Sequence, residues 1–293
     1  RRVMEKVTHL LLVSDQSRKG IEIIKTIDNV SKELVMAEKS GAILNRILHP
    51  ETLDESILNG IPLLSVIGAD DVLVENDIDY ILREGVSQQE KDADILDVNV
   101  GLPEIDEVKM LETTVFELQS VTDLPLQIDT SDPVAMEKAL RIYNGKAMIN
   151  SVNGKEESMK AVFPLVKKYG GLVVALTLDE NGIPETAEGR VKIAEKIIET
   201  AKEYGISKKD IIFDTLAMAV SADKNAAEVT LSSLKTIKED LGCHTSLGVS
   251  NISFGLPERT VINSIFFSLA LENGLSAAIM NPHSEDMMKT YHS

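Results

Sequence analysis

Seven short apolar runs between residues 93 and 282 each give way to a small hydrogen-bonding side chain. Asn99 follows ILDV, Asp129 follows LPLQI, Asn150 follows AMI, Thr177 follows VVAL, Asp214 follows IIF, Asn251 follows LGVS and Asn281 follows AIM. One such residue alone is most simply a cap or a turn. In LPLQIDTSDP that plain role falls to Asp132, because Pro133 behind it suits the first turn of a helix. Asp129 is then left without a structural task. Seven polar strand ends together read as the lining of a pocket. Capping remains the structural alternative for Asp129 and Asp214, and a turn for Asn251.

The chemistry of this lining is narrow. It is rich in carboxylates and amides and poor in His, Lys and Arg. The five histidines, His9, His49, His244, His283 and His292, show no metal-ligand spacing such as HExxH, so no metal site is implied. His244 is expected at the start of a strand. There is no GxSxG elbow, and Cys243 has no visible catalytic partner, which leaves nucleophilic acyl transfer unsupported. What Asp and Asn do well is read a flat, nitrogen-rich heterocycle. A carboxylate accepts from ring N–H and exocyclic amine groups, and an amide donates and accepts at once. A pterin presents that pattern.

Positioning such a ring requires the strand ends to converge. From about residue 93 the runs ADILDVNV, LPLQIDT, KAMINSV, GGLVVALTL, DIIFDTL, HTSLGVSNIS and LSAAIMNP alternate with stretches of helical spacing at 105–121, 132–142, 155–168, 186–204, 223–240 and 258–272. Gly205 closes the helix IAEKIIETAKEYG as a C-terminal stop. Seven β/α units predict a (β/α)8 barrel lacking one member, with a doubly wound sheet as the other topology. In a barrel the C-terminal strand ends meet at one mouth, where sites are built.

The stretches ILDVNVGLPEIDE, LPLQIDTSDP, LRIYNGKAMINSVNG, LTLDENGIPETAEGR and LGVSNISFGLPERTVIN together resemble the pterin-binding domain of cobalamin-dependent methionine synthase and related corrinoid methyltransferases, over roughly residues 79–293. Dihydropteroate synthase is a more distant likeness. The resemblance implies a TIM barrel that binds 5-methyltetrahydrofolate at its mouth and passes the N5 methyl to cob(I)alamin on a partner domain or protein. It assigns pterin contacts to Asp129, Asn150, Asp214 and Asn251, with Asn99 lining the same mouth, and it makes Asn251 the catalytic residue. Two other functions stand beside it: a non-catalytic pterin-binding or docking module from a truncated or fused gene, and a dihydropteroate synthase-like enzyme. The latter needs basic groups for a pyrophosphate, which these strand ends do not offer.

Residues 1–78 do not share that resemblance. VTHLLLVSDQSRKGIEIIKTI, KSGAILNRI and GIPLLSVIGADDVLVEND form a further, Rossmann-like β/α series similar to the C-terminal half of a CooC-type nickel-insertion ATPase, of the P-loop class of MinD and the nitrogenase iron protein. That resemblance would put Asn45 near a nucleotide base. The phosphate-binding GxxxxGK[ST] is absent, so nucleotide hydrolysis is not expected. The expected division is therefore 1–78 and 79–293, joined near VENDIDYILREG, with the usual first barrel strand missing. Either the join is an assembly artefact, or it is a true fusion in which IPLLSVIG substitutes for that strand.

Composition bounds the partners. Of 293 residues, 30 are Lys or Arg and 47 Asp or Glu, a formal net charge of −17 that repels nucleic acid and anionic lipid surfaces. A single cysteine excludes an internal disulfide and a Cys-based zinc cage. No apolar run approaches the roughly 20 residues of a membrane span, and no leader pattern opens the chain. A cytoplasmic protein is expected, with a folate and a corrinoid protein as partners and a homodimer compatible with both. The chain starts on Arg1 rather than Met, which suggests a fragment.

Overall fold

The computed structural model describes residues 63–67, 78–102 and 105–292. Asn45, the rest of the expected ATPase-like segment through residue 62, and the join at 68–77 lie outside the described residues. Eight parallel strands form a closed barrel in sequence order. They are β1 (Leu63–Ile67), β2 (Ile95–Asn99), β3 (Leu126–Asp129), β4 (Met148–Asn153), β5 (Leu172–Leu176), β6 (Ile211–Asp214), β7 (His244–Gly248) and β8 (Ala277–Ile279). Each is followed by a helix: α1 (Ile78–Gln89), α2 (Glu107–Val121), α3 (Pro133–Ile142), α4 (Glu156–Tyr169), α5 (Ala187–Glu203), α6 (Ala226–Glu239), α7 (Arg259–Glu272) and α8 (Glu285–His292). Among the described residues no helix is long and apolar enough to cross a membrane.

The barrel class expected from the alternating pattern is the one observed, and His244 opens β7 as anticipated. The ring nevertheless has no gap where the usual first strand was missed. Leu63–Ile67, from IPLLSVIG, pairs with β2 through Leu64↔Ile95 to Ile67↔Val98 and with β8 through Leu63↔Ala278 and Leu64↔Ile279. This part of IPLLSVIG thus occupies the place of the first strand, as the second of the two readings of the join expects. The physical basis is simple: an apolar run of strand length stands before the first helix, and closure satisfies the backbone groups on both flanking strands.

Local sequence sets the helix ends. Asp132 accepts the Val134 N–H at 2.8 Å with Pro133 in the first turn of α3. Asp106 does the same for α2 through the Lys109 N–H at 3.1 Å, and Thr186 for α5 through the Gly189 N–H at 3.1 Å. Gly170 and Gly205 stop α4 and α5 with φ of +71°.

Alternation along the strands makes two apolar layers. Leu96, Val98, Ile128, Ile149, Val173 and Phe213 face outward and are buried under helix residues such as Leu111 and Phe163. Ile95, Met148, Leu172, Val174, Ile212 and Ala277 form a separate cluster inside the barrel. Each buried Val, Leu, Ile, Met or Phe among them is worth roughly 1.5–3 kcal/mol, and the inner cluster gives the barrel a solid floor below its polar end.

Candidate functional site

Side chains two apart on a strand share a face. Ile95, Asp97 and Asn99 therefore point the same way on β2, as do Gln127 and Asp129 on β3, and Ile212 and Asp214 on β6. Because Ile95 and Ile212 belong to the inner cluster, the acids and amides above them also point inward. The register aligns Asn99 with Asp129 and Asp129 with Asn150, and across the barrel Leu176 with Asp214 and Asp214 with Ser246. The interior thus changes from apolar at its floor to polar at the C-terminal strand ends, the end at which barrels of this kind carry their sites.

On the β2–β4 side, Asn99 is an orienting group. Its Nδ2 donates to Asp129 Oδ2 at 2.9 Å, and its Oδ1 accepts the Gly101 N–H at 3.0 Å. Asp129 is partly exposed as a residue, yet its Oδ1 has no solvent access and no hydrogen-bond partner among the described residues. Burial pushes the Asp129 carboxyl up to about 6, with the Glu107 charge adding to the rise and the Asn99 hydrogen bond and the neighbouring Asp97 carboxyl opposing it. Glu107 accepts the Thr130 hydroxyl, and Thr130 Oγ1 accepts the Asp132 N–H at 3.0 Å, so the loop beyond Asp129 is tied to α2. One layer down, Gln127 Nε2 donates to Asp97 Oδ1 at 2.5 Å; Asp97 is 1% exposed and Gln127 fully buried.

On the opposite side, Asp214 is 7% exposed. Its Oδ1 accepts the Leu216 N–H at 2.7 Å, in a turn where Leu216 has φ of +63°. Burial pushes this carboxyl to about 6 as well, against the stabilising Leu216 N–H, the Arg190 charge and the Gly248 N–H. Gly248 ends β7 and leads into a 3-10 turn, Val249–Ser253, that carries Asn251. The Asn251 amide packs against the Gly248 backbone so closely that a Cβ at 248 would meet Nδ2 at 2.9 Å. Neither Asn251 nor Asn150 uses its side-chain amide in a hydrogen bond within the described residues, and both are partly exposed.

The strand-end residues do not all line the mouth. Thr177 is fully buried and its hydroxyl donates to the Asp214 carbonyl at 3.3 Å, a strand-to-strand tie. Asn281 is exposed and accepts the His283 N–H at 2.9 Å, an ordinary turn. Asn99, Asp129, Asn150, Asp214 and Asn251 gather at one end of the barrel. Residues that strand-end reasoning passed over are Asp97, Gln127, Glu107 and Arg190. Asp97 and Gln127 were readable: a polar residue two before each strand-end acid or amide marks a polar inward face. The roughly 440 Å³ cleft bordered by Asp179, Ile183, Pro184 and Lys192 contains none of these residues.

Comparison with known proteins gives the family. Residues 69–281 match the family described as pterin binding enzyme. The methylcorrinoid:tetrahydrofolate methyltransferase of Eubacterium limosum is 32% identical over 220 residues, covering 73% of this chain and 80% of that protein. The methionine synthase of Mycobacterium tuberculosis is 30% identical over 227 residues; 73% of this chain is matched, but only 19% of that much longer protein is spanned. Among solved structures, dihydropteroate synthase of Xanthomonas albilineans with 4-aminobenzoic acid superposes with a TM-score of 0.66 at 20% identity, over 80% of this chain and 92% of that one. That likeness is one of fold.

Proposed function

The chain belongs to the pterin binding enzyme family, and from that premise we propose that it binds 5-methyltetrahydrofolate at the barrel mouth and transfers the N5 methyl group to cob(I)alamin carried by a partner domain or protein. The observation that carries the reading is the Asn99–Asp129 pair: one carboxylate oxygen is held by an amide while the other is buried and accepts no hydrogen bond among the described residues, an arrangement that suits a ligand N–H. Asp129 and Asp214 accept from the pyrimidine edge of the pterin. Asn150 donates and accepts beside them. The two similar methyltransferases named above support the substrate class.

A methyl on a tertiary amine is a poor electrophile. It becomes transferable as N5 gains positive charge or hydrogen bonding, because the electron pair of the breaking C–N bond returns to N5. Asn251, with an uncommitted amide on the turn after β7, supplies that hydrogen bond. The corrinoid supplies the nucleophile, so the barrel needs none of its own. Microscopic reversibility lets the same side chains serve the transfer in either sense, including the sense in which the Eubacterium limosum enzyme is named. Dihydropteroate synthesis is the weaker reading, since its pyrophosphate calls for cations where this mouth presents carboxylates and amides.

The test is transfer from 5-methyltetrahydrofolate to free cob(I)alamin, followed by the loss of the cob(I)alamin spectrum. Folate-dependent loss is expected. Folate binding without any transfer would reduce the chain to a binding module, and absence of both would remove the reading.

A further inference from the structure

We propose that Arg190 is a positioning residue for Asp214: its buried guanidinium clamps the Thr215–Leu216 backbone, whose N–H aims the Asp214 carboxylate into the mouth. The proposal rests on the reading of Asp214 as a pterin-binding group, and it concerns a residue that makes no contact with the ligand.

Arg190 lies in the first turn of α5 and is 2% exposed. Its Nη1 donates to Thr215 O at 2.6 Å, Leu216 O at 2.9 Å and Thr230 Oγ1 at 3.3 Å, and its Nε donates to Pro184 O at 3.1 Å. One guanidinium therefore joins the loop after β5, the turn after β6 and helix α6. The Thr230 hydroxyl completes the joint by donating to Ala226 O at 2.8 Å.

The turn it clamps is a strained one. A leucine at φ of +63° is unfavourable and persists only where its surroundings over-determine it. Arg190 holds the Leu216 carbonyl while the Leu216 N–H, on the other side of the same residue, holds Asp214 Oδ1 at 2.7 Å. Releasing the carbonyl frees the residue to relax, and the N–H turns away from Asp214. The guanidinium holds both carbonyls through Nη1 while Nε anchors its plane on Pro184 O, a second fixed point that the flexible ammonium of a lysine lacks.

Charge adds to geometry. The acids acting on Arg190 are Asp214 and Asp223, and the charged side chain acting on Asp214 is Arg190. A permanent cation held near Asp214, without a direct ion pair, favours the ionised carboxylate that a ligand N–H requires.

The test uses the whole chain with Arg190→Gln and Arg190→Lys, the first two measurements being made without ligand. Three quantities are read: the Asp214 carboxyl titration by carbon NMR, assigned with Asp214→Asn; amide exchange at Leu216; and affinity for 5-methyltetrahydrofolate. In Arg190→Gln the Asp214 midpoint should rise by about 1 pH unit and folate affinity at pH 7 should fall about tenfold. In Arg190→Lys, which keeps the charge but loosens the turn, the midpoint should rise by less than in Arg190→Gln, because the Leu216 N–H that lowers it is weakened while the cation remains. Leu216 exchange should quicken about tenfold or more while the amides of α2 keep their protection; a general loss of stability would quicken both. Unchanged Leu216 exchange in the lysine variant, or an unchanged Asp214 midpoint in a folded glutamine variant, overturns the proposal. If the glutamine variant does not fold, Leu216 exchange in the lysine variant decides. Failure of the parent chain to bind folate would remove the functional reading, and the two ligand-free measurements would still decide the role of Arg190.

Discussion

Asn99 Nδ2 donates to Asp129 Oδ2 at 2.9 Å while Asn99 Oδ1 accepts the Gly101 N–H at 3.0 Å, so one amide both closes its own loop and orients the carboxylate on the next strand. The other oxygen, Oδ1, is buried and accepts no hydrogen bond among the described residues. An orphaned buried acceptor is costly unless something arrives to use it.

Asn99→Ala should therefore weaken 5-methyltetrahydrofolate binding by about tenfold, near the lower end of the roughly 1.5–3 kcal/mol of a hydrogen bond to a charged group. The barrel should remain folded, because Asn99 sits at a strand end and not in the apolar layers. Calorimetric titration of the parent and the variant measures the difference; equal affinities would show that Asp129 needs no orienting partner.

Asp132 is the control for Asp129. Its carboxylate caps α3 through the Val134 N–H, so Asp132→Ala should lower stability by about 1 kcal/mol and leave folate affinity within about twofold. Chemical denaturation and titration on one preparation separate the two effects. A large loss of affinity would place Asp132 in the site.

Asn251 and Gly248 form a pair for the chemical step. Asn251→Ala should depress methyl transfer by about 10²-fold or more while changing folate affinity much less. Asp129→Ala should weaken binding itself. Gly248→Ala places a Cβ 2.9 Å from Asn251 Nδ2, and the flexible amide end can yield without unfolding the chain. It should therefore reproduce the Asn251 defect in milder form. Single-turnover transfer at saturating folate is the measurement. Equal losses of binding and transfer in all variants would show that the division of roles is wrong.

Acid should act in opposite directions on folding and on binding. Both Asp129 and Asp214 are raised from 3.8 to about 6, first of all by burial. Their folded-state values exceed the unfolded ones, so their favourable contribution to stability is complete below about 4 and is lost as pH rises through about 6. Ligand-free stability from these two groups should thus increase from pH 7 to pH 5 by about 1 kcal/mol each. Folate affinity needs the ionised carboxylates and should fall across the same interval. Denaturation and titration at pH 5, 6 and 7, repeated on Asp129→Asn, test this; affinity that rises on acidification would contradict the assignment.

The architecture was legible because the physical signals were repeated. Each apolar run carried the length of a strand, and caps such as Asp132 and Thr186 stood where the helices begin. The gathering of Asp129, Asn150, Asp214 and Asn251 followed from strand ends converging. Two things were harder to see. Closure by Leu63–Ile67 depends on pairing with β2 and β8, a non-local fact that no pattern within IPLLSVIG expresses. Arg190 reads as one more charged residue on an amphipathic helix, and only packing reveals that its guanidinium is buried against carbonyls from the turn after β6. Thr177 and Asn281 show the converse: a polar residue at a strand end is equally able to tie two strands or make a turn.

The identity of the mouth as a pterin site can be settled by one titration. 5-Methyltetrahydrofolate is added at pH 7.5 to the whole chain and to the Asp129→Ala/Asp214→Ala double variant, with thermal unfolding confirming that both are folded. Saturable one-to-one binding to the parent, weakened by at least about 10²-fold in the double variant, is the expected result. Equal affinity in the two proteins, or no binding to a folded parent, would contradict it.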